Sequence, residues 1–239
     1  MKYFFIRIIQ TLFLILVIGL PIYGQNAELL TADSLFANQK YTEALKKYEN
    51  IFNQDKASPA MLTKMAFIQE GLGNYADALF YLNLYYLKTS DKAALTKMRE
   101  LAEEHNLSGF EYSDFKFMAN FIRNYELEIL CVLLAFSLFL LIYGYSKRKK
   151  DELPRVSLFL QALTLVLIGL LSNQLFLADT GIVSHDHALL MTGPSAGAEP
   201  IDYIEKGNKV TVLQSDVLWT KIRWQEEVAY IRTKNLKTL

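Results

Sequence analysis

Cysteine is almost absent from the chain, and neither sign of charge is in excess. Cys131 is the only cysteine among 239 residues, so no disulfide can form within one chain. Lysine plus arginine and aspartate plus glutamate each number 25, so the chain lacks the basic excess that nucleic-acid binding requires. There is also no P-loop or Rossmann glycine pattern, and no nucleophile–base–acid set stands out. We therefore predict a protein that is not an enzyme, binds no cofactor and does not bind nucleic acid.

Histidine is scarce as well, with three in the chain. His185 and His187 flank Asp186 and invite a metal-site interpretation, but no third well-placed ligand accompanies them. The remaining histidine, His105, lies on the far side of both long apolar runs, and a structural zinc site needs four ligands. We predict no metal site and interpret residues 185–187 as an exposed linker between the second apolar run and a small barrel at the end of the chain.

Long apolar runs are present at residues 129–146 and 156–177, and neither carries a formal charge. As helices they would measure about 27 and about 33 Å, enough to cross a hydrocarbon core of about 30 Å. The basic residues 147–150, with Pro154 and Arg155, separate them in a loop over residues 147–155. A mid-membrane Lys or Arg costs about 2.5–3.5 kcal/mol, and basic loops stay in the cytoplasm. The pattern predicts a transmembrane hairpin with both chain ends on the periplasmic side.

Amide side chains in the second run favour helix pairing over transport. Gln161, Asn173 and Gln174 are polar enough to hydrogen-bond a partner helix, most simply the first run. Neither run contains an ionisable acid or base suited to a transport pathway.

The first residues of the chain resemble a secretory signal. Lys2 and Arg7 precede a short apolar stretch at residues 8–20, and Pro21 and Gly24 follow it. We predict a signal peptide over residues 1–24; an uncleaved anchor is the alternative, and either delivers the rest to the same side of the membrane. No cysteine directly follows the apolar stretch, so we predict no lipoprotein acylation site there.

Residues 28–105 are predicted to be helical and to repeat with a period of 34 residues. Pro59 is the only proline there. Ala32, 39–41, 44–45 and Tyr48 are followed 34 residues later by Ala66, 73–75, 78–79 and Leu82. This order of small, turn and aromatic positions resembles the tetratricopeptide repeat. A further helix, capped by Ser90 or Asp91 and running through Glu104, is expected to seal the open end of the stack.

The tetratricopeptide resemblance implies a peptide-binding groove lined by the first helix of each repeat. The residues that map to this groove are Asp33, Phe36, Phe67 and Glu70. The alternative is that the two phenylalanines are core or capping aromatics and that the two acids are solvated charges. The juxtamembrane segment, residues 106–128, contains an aromatic run that either docks on the stack or lies at the membrane surface.

Residues 187–239 are predicted to form a small barrel of short strands, at 188–191, 201–204, 210–213, 218–224 and 228–231. The order of signals, from 190–195 through 205–213 to Ala229-Tyr230-Ile231, resembles a bacterial SH3 domain, although that family generally has Gly-Trp-Val at the last position. Trp219, Trp224 and Tyr230 are candidates for an aromatic peptide groove. The alternative is that they pack the barrel, since so small a domain needs large core side chains.

The complete order of segments predicts a multi-domain membrane protein: α-helical tetratricopeptide hairpins, a two-helix transmembrane hairpin and a small all-β SH3-like barrel. This order resembles the BatE family of the Bacteroidetes aerotolerance operon. The resemblance implies a non-enzymatic inner-membrane scaffold in a stress-response envelope complex, with von Willebrand-type membrane proteins and, indirectly, a MoxR-type ATPase as partners. A cell-wall protein that binds or senses peptidoglycan peptide is the alternative.

Overall fold

The computed structural model describes residues 27–111, 113–148, 155–172 and 179–239. The predicted signal peptide, Pro154, and the amides Asn173 and Gln174 lie outside the described residues. The chain divides into two compact units, with the boundary after Lys56.

The first unit contains one helical hairpin, α1 (Ala27–Ala37) and α2 (Tyr41–Phe52). Ala32 and Ala44 are fully buried, so the two helices approach closely where the side chains are small. Tyr48 is fully buried on α2 and completes the core of the hairpin.

The second unit begins with three helices, α3 (Pro59–Gly71), α4 (Tyr75–Thr89) and α5 (Lys92–Glu104). The Ser58 side chain accepts from the Met61 amide, and Pro59 occupies the first turn of α3, where it needs no hydrogen-bond acceptor. The Asp91 side chain caps α5 by accepting from the Ala93 amide at 2.9 Å. The predicted helical character of residues 28–105 and the additional helix through Glu104 are confirmed.

The 34-residue period recurs in the backbone of the turns. Gln39 and Gly73 both adopt left-handed conformations, with φ of 61° and 75°. The amide after each donates five residues back, Lys40 to Leu35 at 2.9 Å and Asn74 to Gln69 at 2.8 Å. A third turn, at Asn106 with φ of 54°, follows α5 in the same way, but non-helical chain follows it. The chain therefore forms two hairpins and one further helix with the same type of turn.

The next three helices are α6 (Asp114–Asn124), α7 (Glu126–Arg148) and α8 (Arg155–Ser172). Both α7 and α8 are long and apolar enough to span a membrane. They pack antiparallel: Ser157 Oγ donates to the Leu140 carbonyl at 3.0 Å, and Gln161 Nε2 donates to Ser137 Oγ at 2.7 Å. The prediction that Gln161 bonds the first run is confirmed, and polar side chains collect between the helices while apolar ones face outward.

The last part of the chain forms an antiparallel sheet of seven strands. They are β1 (Thr180–Val183), β2 (Ala188–Met191), β3 (Pro200–Ile204), β4 (Lys209–Ser215), β5 (Trp219–Trp224), β6 (Glu227–Arg232) and β7 (Leu236–Thr238). Their spatial order is β3-β2-β6-β5-β4-β1-β7, so the sheet is open, with β3 and β7 at its edges, where a small barrel was predicted. The five predicted strands correspond to β2–β6, and Leu190, Ile204, Ile222 and Ile231 are central to one hydrophobic core.

The sheet extends beyond the predicted domain at its start. β1 pairs with both β4 and β7, so the sheet begins at Thr180 and not at residue 187. A Cβ on Gly181 would lie 2.7 Å from Leu236 Cγ, so the glycine lets β7 fold closely onto β1. The prediction that residues 185–187 link a span to the sheet is wrong, because they form the turn between β1 and β2.

Candidate functional site

The two candidate groove residues of the first unit are held by contacts within their own hairpin. Asp33 Oδ1 accepts from the Tyr48 hydroxyl at 2.6 Å, and burial together with this carboxylate raises the pKa of Tyr48. The Phe36 ring meets Tyr41 edge to face, with centroids 5.4 Å apart. Both residues therefore contribute to the packing of α1 on α2.

Phe67 and Glu70 lie one turn apart on α3 and differ in their surroundings. Phe67 is 56% exposed, which is unusual for so large an apolar side chain. Glu70 Oε1 accepts from Lys97 Nζ at 2.6 Å, an ion pair that joins α3 to α5. Phe67 is therefore accessible to a ligand, whereas the Glu70 carboxylate binds Lys97 of α5.

The three aromatic candidates of the sheet occupy two different faces. Trp224 packs against the hydrophobic core. Trp219 pairs with Arg232, and Tyr230 pairs with Lys221, on the opposite face of the sheet. This register makes Trp219 and Tyr230 diagonal neighbours, about 7–8 Å apart by sheet geometry. The Arg232 guanidinium lies 4.6 Å from the Trp219 ring centroid. An aromatic patch is thus formed by two of the three residues.

Over the part of the chain that the structure describes, the acid and histidine side chains lie apart from one another or in pairs. Among the described residues, no group of three or more His, Cys, Asp or Glu side chains is placed to hold a metal ion. His187 Nδ1 instead contacts Glu205 Oε1 at 2.5 Å across the sheet surface.

The sheet packs against α4 through several side-chain contacts that we did not predict from the sequence. Lys237 Nζ, on β7, lies 2.6 Å from Asp77 Oδ1 and 5.3 Å from the Phe80 ring centroid. Lys209 Nζ, on β4, donates to Asn83 Oδ1 at 3.0 Å. Asp77, Phe80 and Asn83 follow one side of α4 at intervals of three residues. We call these contacts the docking interface.

The chain after α5 completes the docking interface through its backbone. The Ser108 amide donates to Asn208 Oδ1 at 2.8 Å, and the Lys209 amide donates to the Ser108 carbonyl at 3.0 Å. Gly109 has φ of 93°, and a Cβ there would lie 2.1 Å from the Lys209 carbonyl oxygen. This close backbone approach fixes the position of the sheet relative to α4 and α5.

Lys209 is the electrostatically unusual residue of the docking interface. The pKa of Lys209 is lowered to about 8, mainly by burial and to a smaller extent by the charge of Lys116, while Glu111 opposes the shift. Its acceptor Asn83 is fully buried, and within the described residues the Asn83 Nδ2 group has no hydrogen-bond partner. The sequence carried one signal of this role, because Asn83 interrupts an otherwise apolar stretch of α4.

Stability of the docked sheet is expected to rise with pH in the wild-type chain between about 8 and the ordinary lysine value of 10.5. In that window docked Lys209 is neutral while the undocked lysine is still protonated, so the undocked state binds more protons. Below the window both states are charged and the burial penalty is fully present. The groups that face the amine are Asn83 from α4, Phe110 and Glu111 from the loop, and Lys116 from α6.

The matched variant is Lys209→Met, which keeps an unbranched side chain one atom shorter and removes the titratable amine. We expect its urea midpoint to lose the Lys209 part of the rise. Trp219 and Trp224 are the only tryptophans and both lie in the sheet, so intrinsic fluorescence reports sheet unfolding directly. Equal pH slopes in wild type and variant would contradict burial of the amine.

The described residues thus supply an exposed phenylalanine on α3, an aromatic patch on the sheet and a docking interface. No protein-family model matches the chain, and none of the curated proteins compared with it shows significant similarity.

Proposed function

We propose that the chain is a non-enzymatic membrane scaffold, of the type found in aerotolerance or stress-response envelope complexes. Its helical part acts as tetratricopeptide-type repeats, its sheet as an SH3-type module, and α7 and α8 as a two-span hairpin in the bacterial inner membrane. The repeated turn at Gln39 and Gly73 supports the first assignment. The small antiparallel sheet with an aromatic outer patch supports the second.

The docking interface is the observation that carries this proposal. Asp77 and Lys237 are 160 residues apart in sequence, and both candidate spans lie between them. A direct ion pair requires the helical part and the sheet to share one side of the membrane, which a hairpin of two spans provides. The basic residues at the end of α7 favour a cytoplasmic bend between the two spans. Helices α3–α5 and the sheet, which we call the docked body, then face the periplasm.

Docking also defines how such a scaffold presents its binding surfaces. The sheet occupies one side of α4, while Phe67 on α3 remains more than half exposed. A fixed spacing between this surface and the aromatic patch at Trp219 and Tyr230 favours ligands that engage both, because the second contact then forms at high effective concentration.

The proposal is tested by photo-crosslinking in intact cells from position 67, followed by mass spectrometry. We expect von Willebrand-type membrane proteins among the crosslinked products. In the chain without the photo-crosslinking residue, we expect Phe67→Ala to weaken co-purification of the same proteins in mild detergent. Val217→Ala is the matched control, because Val217 is an exposed apolar residue in a turn of the sheet. A chain that crosslinks to no membrane protein and elutes alone would contradict the scaffold assignment.

A further inference from the structure

The juxtamembrane helix α6 has its polar side facing the protein. Asn120 is 1% exposed, and its Nδ2 group donates to the Tyr86 carbonyl at 3.2 Å and to Ser90 Oγ at 3.0 Å. Asn124 Nδ2 donates to the same hydroxyl at 2.8 Å. These bonds hold α6 against the C-terminal end of α4, where Ser90 ends the helix in a left-handed conformation.

The opposite side of α6 is exposed and, after Asp114 at its first residue, apolar. Phe115, Met118, Phe121 and Tyr125 are 65%, 54%, 42% and 44% exposed, and half-buried Ile122 lies among them. At 3.6 residues per turn these five positions fall within an arc of about 120°, centred opposite Asn120. A surface helix of a water-soluble protein has the reverse arrangement, with its apolar stripe facing the core. The exposed stripe therefore requires a covering.

Continuity with α7 identifies that covering as lipid. Only Tyr125 separates the two helices, and the Ile129 amide donates back to the Tyr125 carbonyl at 2.9 Å. Leu127, at the start of α7, is also exposed. A stripe that contains Phe115, Phe121 and Tyr125 at the entrance of a span matches the apolar face of interfacial helices. Lys116 and Arg123 lie on the opposite side of the helix, as the basic residues of interfacial amphipathic helices do.

We propose that α6 lies in the plane of the bilayer at the boundary between headgroups and acyl chains, and thereby fixes the docked body on the membrane surface. This inference rests on the proposed function, because it requires α7 to be a span. Amphipathic interfacial helices bury the apolar face about 5–10 Å into that boundary. Asn120 and Asn124 connect the anchored helix to α4, and α4 contacts the sheet. The depth of α6 in the bilayer therefore sets the distance of the docked body from the membrane surface.

Helix α5 also contacts α6, through Lys92. Lys92 Nζ lies 4.6 Å from the Phe117 ring centroid, a cation–π contact between α5 and α6. Both α4 and α5 therefore contact the inner side of α6, while Phe115 and Met118 project away.

Spin-label depth measurements on the full chain in nanodiscs test the proposal. In a Cys131→Ser background, single labels are placed at Met118→Cys, at Lys116→Cys on the polar side of the same helix, and at Val132→Cys, an exposed position on α7. We expect the label at 118 to collide at least threefold more with dissolved oxygen, relative to a water-soluble nickel chelate, than the label at 116. The label at 132 should be deeper still.

The outcomes separate the two hypotheses. A water-accessible label at 132 would overturn the assignment of α7 as a span, and with it the proposed function. A lipid-exposed label at 132 together with a water-accessible one at 118 would overturn only the interfacial helix. A label at 118 that is immobile and hidden from both collision partners would show a protein covering, which also contradicts the proposal.

Discussion

Gly109→Ala is expected to open the docking interface. The new Cβ would lie 2.1 Å from the Lys209 carbonyl oxygen, and the residue has φ of 93°, which an L side chain rarely adopts. The left-handed conformation alone costs about 1–2 kcal/mol, and the backbone collision adds to it. We expect a loss of more than about 2 kcal/mol, which corresponds to at least about 30-fold faster amide exchange at Ser108 and Lys209, whose amides bond across the interface.

Gly71→Ala provides the matched control for this substitution. Gly71 ends α3, and a Cβ there meets nothing within 4 Å. Since alanine is a better helix former than glycine by about 0.5–1 kcal/mol, exchange at the docking interface should be unchanged and α3 should be slightly more stable. Unchanged exchange in Gly109→Ala would show that the sheet does not sit on the chain that follows α5.

Ala78→Leu is expected to disrupt the packing of the helical hairpin in the second unit. Ala78 is fully buried on α4, at the position where α3 and α4 approach most closely by the repeat pattern. The added side chain has no space, and overpacking of this kind costs about 1–3 kcal/mol. Amide exchange along α3 and α4, and the midpoint of thermal unfolding, should both report the loss.

Ala93→Leu is the corresponding control, because Ala93 is exposed on α5. Alanine and leucine have similar helix propensities, so this change should be close to neutral. Similar stabilities for the two variants would indicate that α3 and α4 do not cross at Ala78.

The features predicted from the sequence are those encoded by local periodicity. The hairpins follow from small residues at Ala66 and Ala78 and from the turn at Gly73, all within one 34-residue period. The two long apolar helices follow from uninterrupted runs, and the five inner strands follow from alternating apolar residues between turn signals.

The features that escaped prediction depend on contacts over long sequence distances. The Asn83–Lys209 and Asp77–Lys237 contacts join residues 126 and 160 positions apart, and each uses one side chain from either segment. The strands β1 and β7 are short and pair with each other, and β1 also pairs with β4. Because their pairing depends on these distant partners, neither segment shows a strand pattern in its own sequence. For the segment that forms α6, the sequence allowed two placements, on the helical stack or at the membrane surface. The hydrogen bonds of Asn120 to α4 show which side of the helix faces the protein.

The same limits apply to the candidate binding residues. Residue type selected Asp33 and Glu70 for their charge, but these carboxylates bond Tyr48 and Lys97 and so stabilise the helical packing. Trp224 was selected for its ring and packs on the sheet core. Phe67 is exposed, and Trp219 and Tyr230 share the outer face of the sheet, because exposure and strand register are properties of the fold.

Carbodiimide crosslinking of the unmodified chain in native membranes tests the docking of the sheet on the helices most directly. The reagent joins a carboxylate to an amine in direct contact, and Asp77 and Lys237 are 2.6 Å apart. Glu70 and Lys97, also 2.6 Å apart and similarly exposed, provide an internal standard within the helical part. We expect both crosslinks in the same samples, and mixed isotope labelling should show that both form within one chain. The Glu70–Lys97 product without the Asp77–Lys237 product would contradict the account, since the sheet and the helices would then be apart or on opposite sides of the membrane.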